Sequence, residues 1–322
     1  MKTALFHQWM QNLARLTRKQ RLQLRAAVST AARCDEVALQ LEAAFQPKCN
    51  SCGSACYERW GRQSGLQRFR CRDCRHTYTV LSGTPLARLR HKEVWLSYGE
   101  ALINGLSVRA AARQCGVDKN TTFRWRHRFL KWPSQQKVPQ LQGIVEADET
   151  YFPLSYKGAR KLPRAAHRRG HAMKQSGTGA NQVPVLVLRD RQGATTDFQL
   201  EVANTASIEP ILAHVLAPDV VLCSDGAAAY RIAAAHLGIS HRAVNLHRGI
   251  RVRGAYHVQN VNAYDSRLKG WMARFHGVAT KYLENYLGWR RWLEREGAHI
   301  SAKSGVELAM GHKNPFQLLT ST

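Results

Sequence analysis

The sequence predicts an α/β domain preceded by an α-helical, strongly basic region that contains a compact cysteine-rich segment. Three observations carry this reading. Beyond residue 139, apolar runs of strand length alternate with patterns of helix length. Residues 1–46 and 91–131 show only helical spacing. Five of the eight cysteines fall between positions 49 and 74, in a stretch too short for an ordinary hydrophobic core. The 322 residues suffice for about two domains at roughly 100–200 residues each.

The front half is helical until Pro47. Trp9, Leu13 and Leu16 lie at helical spacing, and two further runs, Leu24 and Val28, then Val37, Leu41 and Phe45, each advance in four-residue steps, with Thr17 as an N-cap after a break. Pro133 to Pro139 has linker composition. In the second half, 143–152, 183–188 and 195–202 read as three strands, with Gln192-Gly193 turning between the last two. A helix over 207–216, a strand over 220–223 and a helix over 227–237 follow. A long helical pattern from Asn262 to Tyr286 has expected breaks near Gly270 and Gly277. A three-strand meander followed by helix, strand and helix is the arrangement of an RNase H-like domain. The expected boundaries are 1–46 for N-terminal helices, 47–85 for the cysteine-rich ribbon, 86–138 for a second helical region, 139–297 for the α/β domain and 298–322 for a tail without clear periodicity.

Charge narrows the partner. Lys and Arg number 48 against 22 Asp and Glu, a formal net charge of +26. A polyanion is the natural counterpart of so basic a folded chain, and nucleic acid is the default one. Residues 1–138 hold 25 basic and 8 acidic residues, net +17, and residues 139–322 hold 23 and 14, net +9. The denser front is therefore expected to dock DNA. No apolar run approaches the ~20 residues that span a bilayer, and His7, Gln8, Gln11 and Asn12 break any signal-peptide pattern. A cytoplasmic protein associated with the nucleoid, with its thiols reduced, is the expectation.

Cys49-x2-Cys52 and Cys71-x2-Cys74 have the spacing of a four-thiolate zinc site. Two residues between thiols let each tight turn aim both sulfurs at one ion, and four thiolates leave no open position, so the ion would be structural. Cys56 and His76 stand beside this set as bystanders. Residues 107–128 read as a helix-turn-helix: Ser107 caps the first helix, Gly116 permits the turn and Asp118 caps the second helix. Lys119, Asn120, Thr121, Arg124, Arg126 and Arg128 of that second helix are the expected contacts to bases and phosphates.

Asp148 lies in the first strand, Asp225 follows the strand 220–223, and Asn262 opens a helix with Lys269 two turns further on. With the cysteine ribbon, Leu81-Ser-Gly-Thr-Pro85, Asp148-Glu-Thr-Tyr151, Ser224-Asp-Gly226, His257 to Lys269 and Tyr286 to Arg291, the chain resembles the ISXO-two-like transposases of bacterial insertion sequences. The resemblance covers nearly the whole chain. It implies a zinc ribbon in front of an RNase H-like domain of the DDE type, with Asp148, Asp225, Asn262 and Lys269 in the catalytic positions; Asn stands where Glu is common. It implies two Mg²⁺ or Mn²⁺ ions held by Asp148, Asp225 and Asn262, one Zn²⁺ on Cys49, Cys52, Cys71 and Cys74, and Lys269 as a phosphate contact. Asp265 and Glu146 remain alternatives for the third ligand, and Glu149 is expected to face away. His257 is expected in the site, in the core or on a phosphate.

Between the first two strands, Lys157, Arg160, Lys161, Arg164, Arg168, Arg169 and Lys174 form a basic connection read as lying on DNA. The expected function is binding of the element's terminal inverted repeats and metal-dependent cleavage and transfer into target duplex, by a homodimer or larger assembly. The alternative is a DNA-binding regulator derived from a transposase and catalytically inactive.

Overall fold

The computed structural model describes residues 3–43, 45–163, 179, 181–244 and 252–311. They form two compact units. One takes in the described residues up to Trp125 and those from Ser301 onward, and the other runs from Arg126 to Ile300.

The first unit opens with α1 (Thr3–Gln11), a single 3-10 turn and α2 (Arg18–Ala43). Thr17 caps α2 as expected. Its hydroxyl accepts from the N–H of Gln20 at 3.3 Å, and its own N–H donates to Gln20 Oε1 at 2.8 Å. A three-stranded antiparallel sheet follows: β1 (Tyr57–Gln63), β2 (Leu66–Cys71) and β3 (Thr77–Thr79). Ser64 and Gly65 turn β1 into β2, both with positive φ, the geometry of a two-residue hairpin. Phe69 of β2 stacks on Tyr78 at 5.7 Å and meets Phe45 at 5.8 Å, which gives this small sheet its core.

Then come α3 (Trp95–Ile103), α4 (Val108–Cys115) and α5 (Lys119–Phe129). Ser107 accepts from Ala110 N–H at 3.3 Å, Gly116 ends α4 at φ 64°, and Asp118 accepts from Asn120 N–H at 2.7 Å. Ala111, Ala112 and Cys115 bury the inner face of α4. Trp125 of α5 packs edge-on against Tyr98 of α3 at 5.2 Å, closing a three-helix core.

The second unit takes in the end of α5 and is built on α6 (Lys131–Gln135), β4 (Ile144–Pro153), β5 (Gln182–Asp190), β6 (Thr195–Gln199), α7 (Thr205–Val215), β7 (Val221–Ser224), α8 (Ala228–Leu237), β8 (Ser240–Ala243), α9 (Gln259–Ala273) and α10 (Leu283–Glu296). The sheet order is β6-β5-β4-β7-β8. The first three strands form an antiparallel meander, and β7 and β8 run parallel to β4. Asp190 Oδ1 accepts from Gln192 and Ala194 N–H to fix the β5–β6 turn at Gly193. Val145 and Ala147 of β4 face a core made with Leu212 of α7 and Tyr230 of α8. The alternate residues, Glu146 and Asp148, face the other side, where α9 packs on β4 and β5.

The structure corrects several expectations. Gly270 does not break a helix: α9 runs through it to Ala273, because nothing crowds that position and the flanking residues are helical. The break falls at His276 and Gly277, both with positive φ. Residues 133–136 are not slack linker. Pro133 is buried in α6, and the carbonyls of Pro133, Ser134 and Gln136 receive the guanidinium of Arg291, which also pairs with buried Asp197. Strand β8 has no counterpart in the sequence reading, since Ser-His-Arg-Ala lacks an apolar pattern. A helix also forms beyond residue 298: α11 (Ala302–Met310) starts at a Ser301/Ser304 capping box and packs on α3.

Two glycines in these helices should respond oppositely to alanine. At Gly288 a Cβ would lie 2.5 Å from Ser134 Cα and 2.6 Å from Pro133 O, so Gly288→Ala must push α10 from α6 and should cost about 1–3 kcal/mol. At Gly270 a Cβ meets open space, and Gly270→Ala should gain about 0.5–1 kcal/mol. Thermal unfolding of both variants checks the pair; similar shifts would contradict the packing.

Candidate functional site

Parallel pairing aligns Glu146 of β4 with Cys223 of β7. Continuing that register by two residues brings Asp225, one position past the end of β7, level with Asp148. The turn holding Asp225 is tightly tied. Ala227 N–H donates to Asp225 Oδ1 at 2.9 Å, Gly226 N–H donates to Ser224 Oγ at 3.2 Å, and buried Ser224 meets His241 Nε2 of β8 at 2.9 Å. Gly226 sits at φ 91°, which favours glycine. Asp225 itself is exposed and Asp148 half-buried.

Helix α9 brings the third group. Val261, Tyr264, Asp265, Leu268 and Trp271 form its buried stripe, Asn262 is half-buried beside it and Lys269 is exposed. Burial, with a smaller push from Asp225, raises the Asp148 carboxyl to about 6 against the opposing Glu149 N–H and Lys269. Burial and the Asp148 charge push Asp265 up to about 8, against Lys269. Its Oδ1 is buried without a hydrogen-bond partner. Glu149 lies on the opposite face of β4, on the side of Tyr230, and burial with the charges of Asp148 and Asp225 lifts it to about 7. The structure thus brings Asp225, Asp265 and Lys269 within electrostatic reach of Asp148. The raised acids are not fully offset by Lys269, and their oxygens are hard donors of the kind that Mg²⁺ prefers.

Glu146 is unsuited to ligating an ion, because both of its oxygens are engaged. The carboxylate is fully buried and pairs with Arg191, and Oε1 lies 3.3 Å from His257 Nδ1. Oε2 accepts from the N–H groups of Asn260 and Val261 at 2.8 and 3.0 Å, in the first turn of α9. Arg191 also donates to Ala255 O at 2.8 Å and lies 2.7 Å from His257 Nε2. Sequence reasoning misses this hub. Arg191 precedes a turn, and its only local signal is the Gln192-Gly193 that follows it.

In the first unit, the sulfurs of Cys49, Cys52, Cys71 and Cys74 lie within 4.8 Å of one another. Among the described residues no other group of three or more His, Cys, Asp or Glu converges so closely. The Cys52 and Cys74 N–H groups lower the thiols of Cys49, to about 6, and of Cys71. The four soft sulfurs fit Zn²⁺. Cys56 lies outside the set and is exposed.

On α5, Lys119, Asn120, Arg124 and Arg128 are exposed and Thr121 is half-buried. Arg126 is a correction: it is fully buried in the second unit, 4.4 Å from the Trp289 ring and within hydrogen-bond reach of Tyr286, where no DNA can meet it. Lys157, Arg160 and Lys161 are exposed, with Lys157 Nζ donating to the Gly277 carbonyl at 2.8 Å. Arg164, Arg168, Arg169 and Lys174 lie outside the described residues.

A mixed sheet of order β6-β5-β4-β7-β8, with acids where β4 and β7 run side by side, defines an RNase H-like domain. Residues 140–293 match the ISXO2-like transposase domain, and residues 99–133 match a homeodomain-like domain. Residues 140–293 are thus similar to an ISXO2-like transposase domain, and they follow a segment similar to a homeodomain-like helix-turn-helix. A relative from Halobacterium salinarum, an uncharacterized protein in transposable element ISH50, is 27% identical over 269 residues, 81% of this chain and 91% of that protein. The pre-cleavage Mos1 transpososome is 12% identical, covers 66% of this chain and 77% of that one, and superimposes with a TM-score of 0.23. The Mos1 paired-end complex with the left transposon end gives 13%, 67%, 78% and 0.23. The strand order, rather than these superpositions, establishes the fold. Among the described residues, no helix is long and apolar enough to cross a membrane.

The folded chain disfavours ionising Asp265, at about 8 against an ordinary 3.8. The stability this gives is complete below about pH 4 and is lost as pH rises toward 8. Asp265→Asn should leave the metal-free melting temperature unchanged near pH 4. At pH 8 it should raise it by the equivalent of about 1–3 kcal/mol. Equal shifts at both pH values would contradict this environment for Asp265.

Proposed function

We propose that this protein is a DNA transposase that binds the terminal inverted repeats of its own element and performs metal-dependent cleavage and strand transfer. The observation that carries the reading is the approach of Asp148 on β4 to Asp225, one residue past the end of the adjacent parallel strand β7, with α9 carrying Asn262, Asp265 and Lys269 on the side of the sheet that Asp148 faces. When bound, two Mg²⁺ or Mn²⁺ ions supply Lewis acidity to an in-line displacement at phosphorus. Asp148 and Asp225 offer charged ligand oxygens, and Asn262 offers a neutral amide oxygen. Lys269 holds a DNA phosphate beside them. The buried, unpartnered Oδ1 of Asp265 favours a second reading of the third ligand, in which Asp265 supplies it.

In the front unit the four cysteines hold a structural zinc, and the exposed face of α5 enters a major groove through Lys119, Asn120, Thr121, Arg124 and Arg128. Lys157, Arg160 and Lys161, with the basic residues that follow them, lie along DNA. Pairing two ends calls for at least two copies of the chain. The regions 1–46, 47–85, 86–138 and 139–297 divide these tasks.

A strand-transfer assay on labelled end DNA tests the proposal. Asp148→Ala and Asp225→Ala should each reduce cleavage and joining by about 100-fold or more while end binding persists. Wild-type protein that binds ends but neither cleaves nor joins them would instead favour an inactive regulator. Asn262→Ala should be strongly impaired and Asn262→Asp partly active at lower Mg²⁺. Normal activity in Asn262→Ala with a dead Asp265→Ala moves the third ligand to Asp265.

Zinc analysis is a separate check. Cys49→Ser or Cys71→Ser should release one zinc per chain and unfold the ribbon, whereas Cys56→Ser should keep it. The reverse pattern would overturn the ligand assignment.

A further inference from the structure

We infer that Arg88, Arg90 and His91 join Thr121 and Arg124 of α5 in a cleft that clasps the phosphodiester backbone of one DNA strand. The inference rests on the DNA-binding reading of α5 and adds to it a second, differently built contact.

The segment between the ribbon and α3 is held firmly. Leu86 is fully buried, Ala87 N–H donates to Thr84 O at 3.1 Å, and Trp95 Nε1 donates to Arg90 O at 3.2 Å. Within it, Arg88 and His91 both have left-handed backbone, φ 62° and 60°. Such a conformation is costly for residues with a side chain, and it persists only where the surroundings impose it. Two cases in four residues mark a shaped turn. That turn borders a cavity of about 430 Å³ lined by Arg88, Arg90, His91, Thr121, Arg124 and Trp125.

The charges are one-sided. Arg88, Arg90 and Arg124 are exposed, and among the described residues none forms an ion pair or side-chain hydrogen bond. One carboxylate stands nearby: Glu93 Oε1 lies 3.1 Å from His91 Nδ1, so His91 is partly compensated and the three guanidiniums carry the site. Guanidinium groups suit phosphate because their paired N–H donors match its oxygens. The cleft shares Thr121 and Arg124 with the helix read as entering the major groove, so it borders that groove, where the phosphates of one strand run. The Arg88 and Arg90 contacts supply affinity and register and read no sequence, whereas Arg124 also belongs to the groove-facing side of α5.

The test uses the full-length, zinc-loaded chain and fluorescence anisotropy with two labelled duplexes, one of element-end sequence and one random, over a salt series. The Arg88→Ala/Arg90→Ala double variant should weaken binding to both duplexes alike, about tenfold or more at low salt. It should also flatten the log–log salt dependence by about 1.8, at about 0.9 for each of the two phosphates that the variant no longer neutralises. Arg124→Ala removes a group shared by the cleft and the groove-facing side of α5, so it should lower affinity for both duplexes and also reduce discrimination between them. Arg88→Gly separates charge from folding, because glycine suits the left-handed backbone. It should melt no lower than wild type yet still bind more weakly with a shallower salt slope.

An unchanged slope in the double variant, while wild type binds both duplexes, overturns the inference and leaves the α5 reading standing. If wild type shows no salt-dependent duplex binding, the DNA-binding reading itself fails. If inorganic phosphate at matched ionic strength erases the difference between wild type and variant, the cleft takes a free anion and the inference is overturned.

Discussion

The catalytic unit turns on one buried carboxylate. Glu146 sits two residues before Asp148 on the same face of β4 and caps α9 from outside the helix, through the N–H groups of Asn260 and Val261. Val258 at the N-cap offers no side-chain acceptor, and of the helix N–H groups the neighbouring His257 Nδ1 accepts only that of Gln259, at 3.3 Å. The next N–H groups and the positive end of the helix dipole would otherwise face the sheet unpaired. Arg191 and His257 close the other side of the same carboxylate. One residue therefore fixes the height and rotation of α9 against the strand that carries Asp148. With that, it sets where Asn262, Asp265 and Lys269 stand. Breaking such a buried pair typically costs about 3–5 kcal/mol, and here the cost falls on the alignment of the site as well as on stability.

The acids themselves oppose folding. Asp148, Glu149 and Asp265 are all raised by burial first, and then by neighbouring charges: Asp225 at Asp148, Asp148 and Asp225 at Glu149, and Asp148 at Asp265, with Lys269 opposing the rise at Asp148 and Asp265. Around these carboxylates, in the middle of the sheet, the hub at Glu146 and the Arg291–Asp197 pair tie the surrounding elements together. That is the usual trade between a strained site and a stable frame.

Local chemistry makes much of this legible in the sequence. Two C-x2-C turns specify four converging sulfurs; Ser107, Gly116 and Asp118 specify a helix, a turn and a helix; Gln192-Gly193 specifies a hairpin. The alternation along 144–149 already separates Asp148 from Glu149. What stays hidden depends on partners far along the chain. Arg126 reads as a surface base on a basic helix, and only the aromatic residues of α10, some 160 positions away, turn it into a core residue. The α11 contact is hidden for the same reason: Gly99 is glycine because Ala302 O would lie 2.6 Å from a Cβ there. Glu146 reads as a spare carboxylate because nothing near it in sequence announces that a helix will end on it.

The most direct test of the Glu146 account is amide hydrogen exchange at Asn260 and Val261 in the full-length chain, compared between wild type and Glu146→Gln. Charge-assisted hydrogen bonds to a buried carboxylate contribute about 1.5–3 kcal/mol each, so the substitution should speed exchange at both amides by about 10–100-fold. The amides of the β4–β5 ladder should stay protected. If Asn260 and Val261 exchange no faster in Glu146→Gln than in wild type, Glu146 does not hold α9, and the alignment of the site must come from elsewhere.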